Sequence, residues 1–334
     1  MESPENIRLL YLAKYAPYLD SDPVPNVPDM SYAEYHRGVY RILKERFPKM
    51  ISSPDYMHLV KNYPNNDVDF VFSLYNRMPF RNCEIFISSL AECERIPFLG
   101  ASPNIRAIAE DKHMAKVVAS HLGINTPEWK IYNIGDKLSP PDFDGPYFIK
   151  PRFGATSIHI DEYSQTVNWD EAILIIKKLH DMGDDVILER MIFGTQYSLP
   201  YMYNFGKEIF LPAVEEKSDL RGNVITYNQK RMIEGGLRRV AVDDQKINSK
   251  LVDFSKKLLR IVRPIDYARF DYIIDDKTKV AYFIEFNICC NLGRKSAFAL
   301  SSEHTGINYE SLILNVVYSS LYRSRLIDAK DNEI

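Results

Sequence analysis

Two apolar runs joined by a polar turn in "FDYIIDDKTKVAYFIEFNICCN", residues 270–291, limit the fold more than any other stretch of the chain. Such a pair reads as a strand hairpin. Side chains two apart on a strand share a face, so Arg269 and Asp271 point one way, as do Glu285 and Asn287. With the turn centred near Lys277, Arg269 lies opposite Glu285, and Asp271 is diagonal to it. The other face then carries Phe270, Tyr272, Ile274, Tyr282, Ile284 and Phe286, an apolar layer that supports this register. The polar face presents two carboxylates and an amide oxygen. That set suits a hard divalent cation such as Mg²⁺, with substrate phosphates and water completing its shell. The same spacing also fits a salt-bridged hairpin in which Arg269 satisfies both acids.

The chain has 334 residues, enough for two or three domains. Apolar residues at 46% and charged residues at 26% place it in the soluble globular class. A formal charge of -3 and the lack of a long Lys/Arg run leave no nucleic-acid signature. No stretch approaches about 18 uninterrupted apolar residues, so no membrane span is expected. The opening "MESPENIRLLYLAKYAPY" lacks the basic start and long apolar run of a signal peptide. The four cysteines, Cys83, Cys93, Cys289 and Cys290, have no metal-type CxxC spacing. A reducing, cytoplasmic setting is the expectation.

Strands and helices alternate through the first 103 residues. "IRLLYLAKY" and "VDFVFSLY" read as strands. "SYAEYHRGVYRILKERF" reads as a helix with Ser31 as N-cap, and "CEIFISSLAECERI" as a second helix. This predicts an N-terminal α/β unit over 1–103. Residues 102–124 carry two helical stretches, with Gly123 as the stop. The strands "TPEWKIY", "PYFIKP", "IHIDEY" and "DVILERMI" surround the amphipathic helix "NWDEAILIIKKLHDM" and outline a smaller α+β unit over 104–188. The third unit, 189–334, holds the strands "QYSLPYMYN" and "KEIFLPAVEE", a polar loop at 217–236, a helix, the hairpin and a closing helix.

Two further stretches carry candidate chemistry. "YFIKPRFGATSIHI" places Lys150 at the end of an apolar strand, before a loop of small residues. Lys150 could reach a phosphate as a point charge, with the backbone of Gly154, Ala155 and Thr156 cradling phosphate oxygens. An ordinary turn beside a solvated lysine fits the same residues. "VILERMIFGTQYSL" puts Glu189 directly after a buried strand, where it could accept from an adenine amino group or simply end the strand at the surface.

In this order, "EDKHMAK", "FIKPRFGATS", "VILERMIFGTQ", "YNQKR", "ARFDYI" and "FIEFN" resemble the ATP-grasp superfamily, most closely D-alanine–D-alanine ligase and its relatives, over roughly residues 96–320. The resemblance implies a three-part α/β (α+β) ATP-grasp fold behind a Rossmann-like N-terminal unit. It assigns Lys112 and Lys150 to ATP phosphates, and Glu189 with the backbone of Arg190 and Ile192 to adenine. Gln196 stands where an acid usually takes the ribose. Thr156 matches a phosphate-loop serine, and Tyr227 and Lys230 match a mobile loop over the γ-phosphate. Arg269 would steady an oxyanion, with Lys230 beside it as a second catalytic cation. Asp271, Glu285 and Asn287 would hold two Mg²⁺ ions, with Mn²⁺ as a substitute. Ser296 falls where the family holds the acceptor's carboxylate, and Gly306 matches a family glycine. The resemblance also implies a homodimer.

Three departures change what is expected of the substrates. The family's N-terminal glycine-rich turn, with its Ser and Glu, is absent from residues 7–25. Its "HGxxGEDG"-like stretch is replaced by "LYNRMPFRNCE", and its "NTSPG" reads "NICCN". The ATP parts are kept and the substrate parts changed. The expectation is an ATP-dependent ligase of specialised metabolism that activates a small-molecule carboxylate as an acylphosphate. It would then join it to an amino acid or other amine, giving a dipeptide, amide or mycosporine-type product. Arg77, Arg81, Arg294 and Lys295 are candidates for gripping substrate carboxylates. A small-molecule kinase on the same fold, or a non-catalytic ATP-binding regulator, are the competing readings.

Overall fold

The computed structural model describes residues 3–17, 30–63, 67–75, 83–154, 157–230 and 235–328. The chain begins with strand β1 (Leu9–Leu12), helix α1 (Met30–Arg46), β2 (Ile51–Ser53), the short α2 (His58–Asn62), β3 (Phe70–Ser73) and α3 (Cys83–Cys93). The three strands form a parallel sheet in the order β2-β1-β3. Every residue of β1 is buried, as a strand covered on both faces requires. Its alternate residues serve two cores: Leu9 and Tyr11 enter the main core, while Leu10 and Leu12 pack with Val71 and Ile87. Ser31, expected as the N-cap, lies within α1, which includes Met30.

Helices α4 (Pro103–Glu110) and α5 (Lys112–His121) follow, and α5 stops before Gly123, whose φ of +66° suits a residue without a Cβ. Strands β4 (Trp129–Tyr132), β5 (Tyr147–Pro151), β6 (Gln165–Thr166) and β7 (Val186–Arg190), with helix α6 (Trp169–Asp181) before β7, make a second sheet in the order β4-β7-β5-β6. Ile149, Val186 and Leu188 face Ile176 of α6. The period of two then turns Phe148, Lys150 and Glu189 to the opposite face. "IHIDEY" is not a strand. Ser157 and His159 both take φ of +57°, and this breaks the extended run.

The third sheet holds β8 (Gly194–Asn204), β9 (Lys207–Phe210), β10 (Val214–Ser218), β11 (Leu237–Ala241), β12 (Tyr267–Asp275) and β13 (Ala281–Ile288). Its order is β11-β10-β8-β12-β13, with β9 on β8. Between β10 and β11 lies the four-residue α7 (Tyr227–Lys230), so the described part of the expected polar loop is folded, with Val224 and Ile225 buried. Helices α8 (Gln245–Leu259), α9 (Ala297–His304) and α10 (Tyr309–Arg323) complete the chain, and residues of all three enter the main core.

The hairpin β12–β13 corrects the expected register. Arg269 pairs with Asn287 and Asp271 with Glu285, and then Tyr272 pairs with Phe283. Ile284 is thus an extra residue, a bulge that shifts the phase of β13. Phe283 and Phe286, three apart, both reach the core beside Phe270 and Tyr272, whereas Tyr282 and Ile284 stay outside it. Each such aromatic contributes about 2–3 kcal/mol of burial.

Asp266, fully buried, ties the units together. It accepts from Gly100 N at 2.7 Å, Ser320 Oγ at 2.6 Å and Arg323 Nε at 2.6 Å.

Candidate active site

The polar faces of the second and third sheets meet across a cavity of about 660 Å³. That is within the range of about 300–1,000 Å³ usual for small-ligand sites. Its lining includes Lys112 from the start of α5, Lys150 from β5, Glu189 and Arg190 from β7, Ile192, Gln196 from β8, Lys230 from α7, and Arg269, Asp271 and Glu285 from the hairpin. The bulge adds Ile284 to this lining.

Asp271 accepts from Arg269 through Nε at 2.7 Å and Nη2 at 2.6 Å. Asn287 Nδ2 reaches Asp271 Oδ2 at 3.1 Å and Glu285 Oε1 at 3.4 Å. Ser198 Oγ is 2.9 Å from Asp271 Oδ1 and 3.1 Å from Glu216 Oε1, and its single proton serves one of them at a time. Arg239 Nε lies 3.5 Å from Glu216. Arg269 therefore pairs with one of the two expected acids rather than both.

Opposite the hairpin, the two oxygens of Glu189 are each 3.0 Å from a lysine, Lys116 on one side and Lys150 on the other. Lys116 Nζ also donates to Thr126 Oγ1 at 2.8 Å, and Lys112 Nζ to the Gly154 carbonyl at 2.6 Å.

These charges set one another's protonation. Burial works against ionisation of Glu285, but Lys112, Lys150, Lys230 and Arg269 outweigh it and lower its carboxyl to about 2. Burial, with the Glu285 charge added, raises Asp271 against the pull of Arg269. Burial lowers Lys112 and Lys230, and brings Lys116 down to about 8 although Glu189 holds it up. Glu189 resists burial through Lys116 and Lys150 and stays below the usual carboxylate range.

The donor set fits Mg²⁺. Among the described residues no group of three or more His, Cys, Asp or Glu side chains could hold a metal alone. Two carboxylates and the Asn287 amide are hard oxygen donors that leave most of the shell to phosphates and water. Asn287 presents its Nδ2 to both acids, and rotation of the amide would put Oδ1 in that place.

Other expected residues sit elsewhere. Ser296 is the N-cap of α9, its Oγ accepting from Ala299 N at 3.1 Å. Arg294 stacks on the Tyr309 ring at 4.2 Å, and the Lys295 carbonyl accepts from Arg239 at 3.3 Å. None of the three lines the cavity. Gln196 lines it and donates to the Asn223 carbonyl at 2.9 Å. Arg190 N donates to the Glu128 carbonyl at 2.8 Å. Gly306 has φ of +85° just after α9. Thr156, Arg77, Arg81 and the side chain of Tyr227 lie outside the described residues.

Sequence reading missed Lys116, Ser198, Glu216 and Arg239. Lys116 had a signal: it stands four residues after Lys112, on the helix face that also buries Ala115 and Ala119. Glu216 had a weaker one, an acid two residues after the buried Val214 of the same strand.

Comparison with known proteins agrees with this architecture. A family model described as D-ala D-ala ligase C-terminus matches residues 118–318. The D-alanine–D-alanine ligase of Aquifex aeolicus is 24% identical over 233 residues, 69% of this chain and 76% of that one. The D-alanine–D-alanine ligase A of Bacillus cereus is 22% identical over 229 residues, 68% of this chain and 72% of that one. Among solved structures, the D-alanine–D-alanine ligase of Bacillus anthracis complexed with ATP superposes with a TM-score of 0.71 at 17% identity, covering 96% of this chain and 99% of that one.

Proposed function

Because the chain belongs to the D-Ala–D-Ala ligase C-terminus family, whose members are ADP-forming ATP-grasp ligases that make C–N bonds, we propose that it activates a carboxylic acid with ATP and joins the acid to an amine. One observation carries this reading. Asp271 and Glu285 of the hairpin, with the Asn287 amide bonded to both, share a single cavity with Lys112, Lys150 and Lys230, the pairing that a metal-bound polyphosphate needs.

The carboxylate oxygen of the acid attacks the γ-phosphorus, the bond to the bridging oxygen breaks, and ADP leaves with that oxygen. The resulting acylphosphate is then attacked by the amine at its acyl carbon. Phosphate leaves with the oxygen that came from the acid, and an amide remains. Lys112, Lys150 and Lys230 offset phosphate charge and orient the γ-phosphate, so the first step is mostly positioning. Asp271, Glu285 and Asn287 would hold two Mg²⁺ ions, which neutralise developing charge on the phosphates when bound. Glu189 acts through Lys150 and Lys116, since both its oxygens are ion-paired, and the backbone of Arg190 and Ile192 reads the adenine edge. Arg269 lies ready for the oxyanion of the tetrahedral intermediate.

The product belongs, on this reading, to specialised metabolism rather than to D-alanyl-D-alanine synthesis, because the segments around substrate differ while the nucleotide residues are kept. The test is ADP release and product mass with ATP, Mg²⁺ and paired acids and amines. Amide formation equal to ADP release supports ligation. ADP release without an amine, with a stable phosphorylated product, makes the protein a kinase.

A further inference from the structure

The same cavity reaches beyond the nucleotide residues to the first sheet. Lys14 follows the end of β1 by two residues, and Tyr75 follows the end of β3 by two. These strands are neighbours in the order β2-β1-β3, and the chain reverses its direction of growth between them. In open parallel sheets, ligands bind in the crevice outside the carboxyl ends of the strands at that point. Lys14, Tyr15, Tyr32, His36, Leu74 and Tyr75 line this end.

The crevice is built, not incidental. Tyr32, His36, Leu74 and Tyr75 are each at most 8% exposed, yet all border the cavity. Tyr15 N donates to His36 Nδ1 at 3.3 Å, and the rings of Tyr15 and Tyr32 each lie 5.7 Å from the His36 ring. Tyr75 OH donates to the Pro54 carbonyl. The walls are therefore fixed aromatic faces. An aromatic face attracts one cation, and that cation is already present: Lys14 Nζ sits 5.2 Å from the centre of the Tyr15 ring. Among the described lining residues of the first unit there is no carboxylate to pair with a substrate ammonium. An amino acid would bring a second positive charge against Lys14, and none of the described first-unit residues that line this end offsets it. A flat ring with an acid group would stack on the tyrosines and keep Lys14 as its partner.

We propose that this crevice takes the acid to be activated, and that the acid is an aryl carboxylate without an α-ammonium group. The proposal rests on the ligase reading for its chemistry and on the crevice alone for its substrate class. Calorimetry on the full chain, saturated with Mg²⁺ and a non-hydrolysable ATP analogue, tests the class with benzoate, 4-hydroxybenzoate and D-alanine. The aryl acids should bind at least tenfold more tightly than D-alanine, and Lys14→Glu should cut that ratio at least tenfold. Lys14 is exposed, so the variant should fold, and Tyr75→Leu should weaken both aryl acids alone. Equal affinities, tighter D-alanine, or no aryl-acid binding by protein that holds the nucleotide overturns the proposal. ADP release with the same acids and glycine separates the two readings. Tight aryl-acid binding without ADP release removes the ligation and leaves the class standing. ADP release with D-alanine alone keeps the ligation and overturns the class.

Discussion

Replacing Glu189 with glutamine keeps the shape of the site and removes the counter-charge from two buried lysines. Lys116, fully buried, is already lowered from 10.5 to about 8 with Glu189 in place. At about 1.4 kcal/mol per unit, holding its charge costs about 3 kcal/mol even in the wild type. Without Glu189 it must stay charged against an amide or give up its proton. Removing one partner of a buried pair costs about 3–5 kcal/mol. Part of this is relieved by the cavity beside Lys150, so the expected loss is about 3 kcal/mol at pH 7. The pH dependence has a definite sign. A lysine whose folded value lies below its unfolded value binds fewer protons when folded, so stability rises with pH from about 8 toward 10.5. In Glu189→Gln that window begins lower, and by pH 9, above the folded value of about 8, Lys116 is largely neutral in both proteins. The gap between wild type and variant should therefore narrow by roughly half from pH 7 to pH 9. Urea melts followed by tryptophan emission read this directly. Trp129 and Trp169 both lie in the second-sheet unit, and Lys116 Nζ is 5.8 Å from the Trp129 ring. A loss under about 1 kcal/mol at pH 7, or an equal gap at both pH values, would refute the reasoning.

Glu285→Gln should lower Mg²⁺-dependent turnover about a hundredfold or more while the melting temperature moves by only a few degrees; full activity would discard the metal assignment. Because Glu285 is lowered from 4.5 to about 2, its stabilisation is present above pH 4.5 and fades as pH falls toward 2. The variant should accordingly lose less stability in acid than the wild type, as acid melts would show. Asp266→Ala should cost about 3–5 kcal/mol in urea melts by orphaning Arg323, with nucleotide affinity unchanged; altered affinity would tie Asp266 to the site instead. Gly194→Ala should cost about 2 kcal/mol or more, since a Cβ there would lie 2.1 Å from the Ile274 carbonyl; a wild-type melt would show that β8 and β12 can separate.

The sorting of Arg269, Asp271, Glu285 and Asn287 onto one face was legible because strand alternation has a fixed period. The pairing across the hairpin was not. A bulge is one extra residue, and nothing in "YFIEF" marks Ile284 as that residue. The false strand "IHIDEY" failed for a related reason. Its apolar alternation is real, but Ser157 and His159 adopt left-handed backbone that side-chain type does not announce. Lys150 and Glu189 were legible as polar residues at the ends of apolar strands, yet their mutual pairing was not, because it depends on β5 and β7 lying side by side. Ser296 was read by its distance from Asn287, and distance along the chain does not report that its hydroxyl caps α9.

Oxygen transfer from the acid to phosphate tests the account at its centre. Benzoate, 4-hydroxybenzoate and D-alanine, each labelled with ¹⁸O in the carboxylate, are incubated separately with the protein, ATP, Mg²⁺ and glycine. The released phosphate is weighed by mass spectrometry. For any of these acids that drives ADP release, activation through an acylphosphate predicts one ¹⁸O in each phosphate released and one amide per ADP. Unlabelled phosphate, or a label kept wholly in the acid, would contradict it.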